Sequence, residues 1–434
     1  MRNPRRGATR RTYLAAQAGA AVALAASNPA GDQPPPEAKR LAPATLTYTT
    51  WWLPPILYGV ASEEAVRAFE ARHPGITVTI EGMKGGADTQ LEKIQAMIVG
   101  GTPPDISLVR PHHMGFFTSK HALVAIDDRF QRDRRVRRED FFPVTLERLT
   151  WQGKTWGLPA EVHFTVLLYN QALFAAAGQP PPDQSWTWDR WLETARRLTS
   201  PPDQAGPRTF GGNLATWQIL VWAWGGEILN RAETECLLSR PPAPEALQWR
   251  ADAIRNHRVE PAAQDRGGQN IWQFFASGQL GMLVTQPWNL TDIEKIAQIP
   301  WNVVTVPRGR ARRAALAAGA NYALFQGIKH PDAAWELLLD LSVGEGLKAL
   351  LAASSLFPAA HAQATPETLP NYKPEWIETI LEASKQARHP HYSHPRYVEI
   401  DDVIGEQLAP VWNGQRAAKD AAEEIVRLVN PLLK

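Results

Sequence analysis

The chain has 434 residues, a formal net charge of +2 at pH 7 and a single cysteine. Without the five arginines among its first eleven residues the formal charge becomes −3, which disfavours nucleic acid as a partner. The lone Cys236 excludes an internal disulfide framework and a cysteine-based zinc site. A length well beyond about 300 residues predicts two domains or lobes rather than one core.

The N-terminus has the order of features typical of an exported protein. Arg10 and Arg11 precede a weakly apolar stretch, Leu14–Ala26, which is shorter than the roughly 20 residues of a membrane span. We predict a twin-arginine signal peptide at residues 1–30, removed from the mature protein, and a proline-rich linker at 31–42. No cysteine follows the apolar stretch as a lipid anchor would require, so the sequence predicts a free periplasmic protein.

Strands and helices alternate in the region that follows the linker. Apolar residues recur at alternate positions in the strand-like segments and at helical spacing in the others. The predicted order is strand Thr45–Trp52, helix Ala61–His73, strand Ile76–Glu81, helix Leu91–Ile98 and strand Ile106–Val109. This β-α-β-α-β pattern predicts a mostly parallel sheet whose carboxyl strand ends face the ligand.

Helices predominate further along the chain, with strand-like runs at Gly281–Thr285 and Trp301–Val306. The predicted helices are Asp189–Thr199, Trp217–Leu229, Glu245–His257, Ile271–Ser277 and the C-terminal Ala417–Leu433. Segment Asp127–Asp140 holds six arginines interleaved with acidic residues. It is predicted to be a solvated, salt-bridged helix rather than a nucleic-acid site.

Catalytic signatures are missing from the sequence. It contains no nucleophile elbow, zinc-protease motif, phosphate-binding loop or dinucleotide fingerprint. The histidines of His389–His394 have no carboxylate or thiolate near them in sequence, so we predict no metal there. A glycosidase that assembles two distant carboxylates stays open as an alternative.

Several blocks together resemble one family, the extracellular solute-binding proteins of ABC importers, and within it the group that binds maltose, multiple sugars and glycerol-3-phosphate. The blocks are Phe69–Val78, Gly100–Ile106, Gly153–Pro159, Leu168–Asn170, Trp186–Trp191, Phe275–Met282 with Trp288, and His330–Glu336. Their order and spacing span nearly the whole predicted mature chain.

The resemblance implies an α/β, two-lobed periplasmic-binding-protein fold of type II, in which each lobe has a mostly parallel sheet flanked by helices. By analogy, residues 43–126 and 307–350 form the N-terminal lobe, and residues 127–306 and 351–434 form the C-terminal lobe. Arg308–Gly309 and Ser354–Pro358 then lie near the hinges, where a few residues permit closure over a ligand.

The tryptophan content suits a sugar ligand, because the C–H face of a sugar packs on flat aromatic surfaces. The chain has 17 tryptophans against 8 tyrosines. The stacking candidates lie at the ends of elements or beside glycines, and core packing is an equal alternative for each: Trp51, Trp52, Trp222, Trp224 and Trp288. The resemblance instead assigns a role in helix packing to Trp186, Trp188, Trp191 and Trp335.

Polar candidates follow predicted strands. Glu161 and His163 come after Gly157–Pro159, where members of the family approach their ligand, and Glu161 offers two acceptor oxygens for hydroxyl groups. Asp88 and Thr89 open the second helix, where they either contact ligand beside the amides or simply cap the helix. The remaining candidates are His112, Asn289 and Asn321.

The sequence therefore predicts an extracytoplasmic solute-binding protein and not an enzyme. It is expected to act as a monomer without cofactor or metal, to bind a mono- or oligosaccharide between its lobes, and to deliver it to an ABC permease. Two alternatives remain: a glycerophosphodiester ligand, which requires cationic groups in the cleft, and a secreted carbohydrate-active enzyme.

Overall fold

The computed structural model describes residues 41–82, 87–201, 206–214, 216–391 and 393–434, apart from the side chains of Ala87 and Asp88. The predicted signal peptide, and the predicted linker up to residue 40, lie outside the described residues. Within the described ranges, no helix is both long enough and apolar enough to cross a bilayer.

The described part is a mixed α/β structure of short strands and helices. Its strands are β1 (Ala44–Thr50), β2 (Ile76–Gly82), β3 (Ile106–Val109), β4 (Thr150–Trp151), β5 (Lys154–Thr155), β6 (Leu158–Pro159), β7 (His163–Phe164), β8 (Val166–Asn170), β9 (Asn213–Leu214), β10 (Met282–Thr285), β11 (Trp301–Thr305), β12 (Ala315–Ala318), β13 (Asn321–Leu324) and β14 (Ala387–Arg388). Its helices are α1 (Leu57–Arg72), α2 (Ala87–Val99), α3 (Pro111–Ser119), α4 (Asp127–Arg132), α5 (Pro143–Glu147), α6 (Gln171–Ala176), α7 (Trp188–Leu198), α8 (Gln218–Trp224), α9 (Ala243–Arg255), α10 (Ile271–Ala276), α11 (Leu290–Ile296), α12 (Pro331–Val343), α13 (Glu345–Ala353), α14 (Pro374–Ser384), α15 (Tyr397–Trp412) and α16 (Ala418–Val429).

The first sheet has the strand order β2-β1-β3-β13-β6. β1 runs parallel to β2 and to β3, and α1 and α2 are the crossovers, so the predicted β-α-β-α-β unit is confirmed. All four residues of β3 are buried, as expected of a parallel strand covered on both faces. The carboxyl ends of β1 and β3 bring Trp51 and Arg110 to one edge of this sheet.

The second sheet has the order β11-β8-β10-β9 and differs from the expected mostly parallel arrangement. β8 runs antiparallel to both β10 and β11, and β9 runs parallel to β10. All five residues of β8 are buried. A buried strand has the same run of apolar residues whether its neighbours are parallel or antiparallel. The sequence pattern therefore does not indicate the direction of the strand. We call the parts built on the two sheets the first and second lobes.

The chain passes between the two sheets at three places. β7 lies on the connection from β6 to β8, and β12 lies on the connection from β11 to β13. These two strands pair antiparallel with each other between the sheets. The third connection, residues 354–358, links α13, which packs on α1, to α14, which packs on β11. The predicted hinge at Ser354–Pro358 lies in this connection. Arg308 lies on the second lobe, where its amide donates to the carbonyl of Trp186 at 2.8 Å.

The first sheet extends beyond the predicted lobe boundary at residue 126, because β6 completes its edge. The arginine-rich segment Asp127–Asp140 packs on α12, where Arg135 contacts Glu336 at 2.6 Å and Arg129 contacts Asp332 at 3.0 Å. The predicted salt bridges of this segment are therefore confirmed, although α4 is shorter than the predicted helix. The division of the chain into lobes stays a prediction.

Most of the tryptophans singled out in the sequence pack in the core of the molecule. Trp186, Trp188, Trp191 and Trp335 are all buried, which confirms their predicted packing role. Trp222 and Trp224 are 1% and 4% exposed and lie in the core of the second lobe. The prediction that these two tryptophans stack on a ligand is wrong. Every residue from Ile219 to Trp224 is buried, so α8 has no solvent-facing side over that stretch.

Helix α3 of the first lobe packs tightly on the loop before α15. A Cβ atom on Gly115 would lie 2.5 Å from the carbonyl oxygen of Ser393 and closer still to that of His394. Gly115→Ala is therefore expected to lower the free energy of unfolding by about 1–3 kcal/mol, because backbone must retreat to make room. Urea unfolding followed by tryptophan fluorescence measures the change.

Gly405 provides the matched control for this substitution. It lies within α15, and a Cβ atom there would meet no heavy atom of the described residues within 4 Å. Gly405→Ala is expected to raise the free energy of unfolding by about 0.5–1 kcal/mol, because glycine is costly inside a helix. Equal stabilities of the two alanine variants would contradict the tight packing at Gly115.

Candidate ligand-binding cleft

A cleft of about 500 Å³ opens where the carboxyl edge of the first sheet meets the connecting strands β7 and β12. Its volume lies within the range of about 300–1,000 Å³ that is usual for small-molecule sites. The structure brings together half of the predicted ligand contacts around it. These residues are Trp51, Trp52, His112, Glu161, His163 and Trp288.

Aromatic residues from both lobes line the cleft, although one of them, Trp52, is only 5% exposed. Trp51 and Trp52 follow the end of β1, with ring centroids 6.3 Å apart in an edge-to-face arrangement. Trp52 in turn stacks on Tyr58 of α1 at 5.9 Å. Trp288 comes from the turn after β10 and is 38% exposed, so its ring face is available to a ligand. The arrangement offers flat apolar surfaces from both lobes.

Tyr58 also joins the two sides of the cleft directly. Its hydroxyl donates to the backbone carbonyl of Trp288 at 3.1 Å. Burial, and then the charge of Glu161, raises the pKa of Tyr58 above its ordinary value, so the hydroxyl keeps its proton and remains a donor at neutral pH.

A buried acid and a histidine lie at the base of the cleft. Glu161 and His163 are 7% and 4% exposed, and Oε2 of Glu161 lies 2.9 Å from Nε2 of His163. Apart from this close contact, Oε2 of Glu161 has no hydrogen-bond partner among the described residues, and Nδ1 of His163 has none either. Buried polar atoms without partners are rare and costly, which favours a role in binding a polar ligand.

A glycine shapes the backbone around this acid. Gly319 has a φ of +135°, and a Cβ atom there would lie 2.5 Å from the carbonyl oxygen of Glu161. Only glycine permits so close an approach of the turn between β12 and β13 to Glu161.

Arg110 and His112 line the side of the cleft at the end of β3. Arg110 is exposed, and its Cζ atom lies 5.6 Å from the ring centroid of Trp51. Burial, together with the neighbouring His113 and Arg110, lowers the pKa of His112 to about 3. The imidazole is therefore neutral at pH 7, and it can donate or accept a hydrogen bond without carrying charge.

Acid is expected to destabilise the protein partly through His112. Because its pKa is about 3 in the folded state and about 6.5 when unfolded, the unfolded chain binds more protons between these values. Stability from this group is complete above pH 6.5 and is lost as the pH falls, by up to about 1.4 kcal/mol per pH unit. Other groups titrate in the same range, so the measurement compares wild type with His112→Asn.

The advantage of wild type over His112→Asn should shrink between pH 7.5 and pH 4.5 in urea unfolding experiments. His121 is exposed and serves as the control. The difference between wild type and His121→Asn should stay nearly constant over the same range. A constant difference for His112→Asn as well would contradict the buried, neutral imidazole.

The other predicted ligand contacts whose side chains are described do not line this cleft. Asn289 is 2% exposed and donates to Oγ1 of Thr285 at 3.0 Å, and Asn321 is fully buried in β13, where its Oδ1 accepts from Arg148. Neither lines the cleft, but Oδ1 of Asn289 and Nδ2 of Asn321 are buried without a hydrogen-bond partner among the described residues, so their part in binding stays a prediction. Thr89 is exposed in the first turn of α2, and the side chain of Asp88 lies outside the described residues.

Several residues that line the cleft were missed by sequence reasoning. They are Ile56, Tyr58, Arg110, Gln286 and Gly319. Arg110 and Gln286 directly follow β3 and β10, so the rule that favours residues after strands would have found both. Nothing in the sequence indicates Tyr58, whose position depends on how α1 begins.

A larger groove of about 810 Å³ lies elsewhere on the surface and contains His361, His389 and His391. Nδ1 of His391 lies 3.1 Å from Glu233. Among the described residues, no group of three or more His, Cys, Asp or Glu side chains is arranged to hold a metal ion. The smaller cleft is the better candidate site, because it combines several aromatic side chains with the buried Glu161 at the carboxyl edge of the first sheet.

Comparison with known families defines the class of the protein. Residues 54–338, well over half of the chain, match the family model described as bacterial extracellular solute-binding protein. The chain therefore belongs to this family, as its resemblance indicated. Members of the family are extracellular binding proteins rather than enzymes.

Individual relatives and solved structures agree with this assignment. A binding protein of Brucella abortus (strain 2308) is 27% identical over 286 residues, which cover 64% of this chain and 67% of the relative. An ABC substrate-binding protein from Listeria monocytogenes, solved in complex with cycloalternan, has a TM-score of 0.78 at 22% identity, covering 90% of this chain and 98% of that one. UgpB from Mycobacterium tuberculosis, in complex with glycerophosphocholine, has a TM-score of 0.75 at 18% identity over 90% and 98% of the two chains. These similarities confirm the predicted α/β, two-lobed fold.

Proposed function

We propose that this protein captures a mono- or oligosaccharide in the cleft between its lobes and delivers it to the permease of an ABC importer. The ligand would contact both lobes. It would favour the closed arrangement only to the extent that it binds that arrangement more tightly than the open one. The permease would then distinguish the closed, loaded protein from the open one.

The observation that carries this proposal is the combination of aromatic faces with a buried acid. Trp51 and Trp288 both line the cleft and are partly exposed, and flat aromatic side chains suit the C–H faces of a sugar ring. Glu161 at the base has a buried acceptor oxygen that contacts only His163 among the described residues and has capacity to accept from a ring hydroxyl. The solved relative from Listeria monocytogenes, which holds the oligosaccharide cycloalternan, supports the same class of ligand.

A glycerophosphodiester is the second candidate ligand, and a specific observation favours it. Arg110 supplies a cationic group in the cleft, as a phosphodiester requires. The similarity to UgpB, solved with glycerophosphocholine, also supports a glycerophosphodiester ligand. We retain the saccharide as the first candidate because aromatic rings make up more of the cleft wall than cationic groups do.

We further propose that the protein performs no chemistry on its ligand. A glycosidase of the usual kind needs two carboxyl groups on either side of the bond that it cleaves. Among the described residues that line the cleft, Glu161 is the only one with a carboxyl group. Incubation with saccharides should therefore yield no cleavage products by chromatography. If products form and Glu161→Gln abolishes them, the protein is an enzyme.

We propose a periplasmic location, reached by the twin-arginine route, and a monomeric state. The family assignment supports a place outside the cytoplasm. The paired Arg10 and Arg11 ahead of a short apolar stretch support the route. Replacing both arginines by lysine should block export of the folded protein, and fractionation of cells would measure this.

Thermal unfolding across a panel of saccharides tests the proposed ligand class. A ligand present at 100 times its Kd stabilises the native state by about 2.7 kcal/mol. The Tm of the protein should therefore rise by several degrees. The panel includes mono- and oligosaccharides, glycerol as a control polyol, and glycerophosphocholine. The saccharide proposal fails if no sugar raises the Tm, and a shift with glycerophosphocholine alone would favour the second candidate.

A further inference from the structure

Arg110 occupies a distinctive place in the cleft. It is the residue directly after β3 and immediately precedes α3, at the carboxyl edge of the first sheet. Its side chain is exposed and lines the cleft next to Trp51. Ligands of open α/β sheets bind at such strand ends, so the guanidinium lies where a ligand is expected.

The charge of Arg110 is not neutralised within the described part of the chain, where its side chain has no ion pair and no hydrogen bond. Elsewhere, Arg72, Arg135 and Arg388 each hold a carboxylate at 2.6–2.7 Å. Arg196 also has no ion pair within the described part of the chain, but it is exposed on α7 and does not line the cleft. Arg110 differs because it lies in a concave cleft, where low-dielectric walls strengthen the field that a ligand experiences.

The contact with Trp51 leaves Arg110 ready to bind an anion. The guanidinium carbon lies 5.6 Å from the ring centroid, within the range of a cation–π contact. This contact involves no hydrogen bond of Arg110, so the N–H groups of its guanidinium remain available for a ligand. That edge matches the two oxygens of a carboxylate or phosphate in a bidentate arrangement.

The other charged groups of the cleft do not compensate Arg110. Among the described residues that line the cleft, Glu161 alone has a carboxyl group, and its close contact is with Nε2 of His163 at 2.9 Å rather than an ion pair with Arg110. His112, on the same side as Arg110, is neutral at pH 7 because burial lowers its pKa to about 3. The first turn of α3, with Pro111 and His112 lining the cleft, adds the partial positive charge of a helix N-terminus.

We infer that the ligand carries an anionic group, a carboxylate or a phosphate, which Arg110 binds while its ring or glycerol unit packs on the neighbouring aromatic side chains. This inference rests on the proposed function and narrows its ligand class. A sugar acid and a glycerophosphodiester both supply this chemistry. The anion is a carboxylate on the ring of the sugar acid, and a phosphate on the glycerol unit of the glycerophosphodiester.

Isothermal titration calorimetry of the purified full chain with matched ligand pairs tests the inference. The carboxylate arm compares glucose with glucuronate and galactose with galacturonate. The phosphate arm compares glycerol with glycerol 3-phosphate and glycerophosphocholine. In at least one pair, the anionic member should bind about tenfold or more tightly than its neutral partner, and rising salt should reduce the difference.

Variants of Arg110 distinguish its role from a general charge effect. Arg110→Gln should remove the preference for the anionic member, so that the two members of a pair bind with similar affinity. Arg110→Lys should retain part of the preference, because the charge remains while the bidentate edge is lost. Arg196→Gln removes an exposed arginine of α7 outside the cleft and should leave both affinities unchanged.

The outcomes separate this inference from the proposed function. Equal binding of neutral and acidic sugars, or a preference that survives Arg110→Gln, overturns the inference and leaves a neutral-sugar binder standing. Tight binding in the phosphate arm alone supports the inference and overturns the saccharide proposal. A failure of every probe to bind counts against both.

Discussion

Replacing Arg148 by methionine is expected to lower the free energy of unfolding by about 3–5 kcal/mol. Arg148 is fully buried directly after α5, and its guanidinium reaches both strands that pass between the lobes. It donates to the carbonyl of Glu161 at 2.9 Å on one connection. On the other connection it donates to the carbonyls of Ala318 at 2.7 Å and Ala320 at 3.3 Å, and to Oδ1 of Asn321 at 3.0 Å.

The large effect follows from the acceptors that would be left behind. Methionine fills much of the same volume but donates no hydrogen bond, so these buried oxygens lose a partner, at about 1–3 kcal/mol for each one that finds no replacement. Relaxation and water entry recover part of this cost. Urea unfolding of the two proteins measures the change.

Arg129→Met is the matched control. Arg129 forms one partly exposed ion pair with Asp332 at 3.0 Å, and its loss should cost less than about 1 kcal/mol. A loss of that size for Arg148→Met as well would show that the buried network is not needed to hold the two connections together.

Removing the carboxylate of Glu161 is expected to weaken saccharide binding by roughly 10- to 100-fold. A hydrogen bond to a charged acceptor is worth about 1.5–3 kcal/mol, and each 1.4 kcal/mol changes the Kd about tenfold. Glu161→Ala removes the buried acceptor at the base of the cleft and leaves the aromatic faces in place. Titration calorimetry with the saccharide that gives the largest thermal shift measures the loss.

Glu64→Ala controls for the removal of one negative charge. Glu64 is exposed on α1 and does not line the cleft, so its variant should bind with the affinity of wild type. The thermal stability of Glu161→Ala in the absence of ligand shows whether the variant folds. An unchanged affinity in a folded Glu161→Ala protein would mean that the ligand does not reach this acid.

The first lobe was predictable because its early strands carry a clear local signal. β1 and β2 alternate in apolar character and are separated by a helix of the expected length, so local periodicity indicates the parallel unit. The direction of β8 was not predictable in the same way. It depends on how the chain arrives from the first lobe, and that information lies in long-range packing rather than in the five buried residues of the strand.

The site was predictable only in part for a similar reason. Trp51 and Glu161 lie just past strands whose ends could be identified. Trp222 and Trp224 precede two glycines and resemble residues at an exposed turn, but the surrounding helices bury them. Arg148 illustrates the limit most clearly. Its partners around Asn321 are more than 150 residues away in sequence, and no spacing rule connects them.

The position of β13 has a consequence for the synthesis of the protein. β13 lies between β3 and β6 and pairs antiparallel with both, so the first sheet cannot be completed before residues 321–324 have been made. Until then, the growing chain carries an unpaired edge on β3, which is a template for incorrect pairing. Most of the polypeptide must therefore leave the ribosome before this lobe can close. N-terminal fragments that end before Asn321 are expected to need chaperones to stay unaggregated.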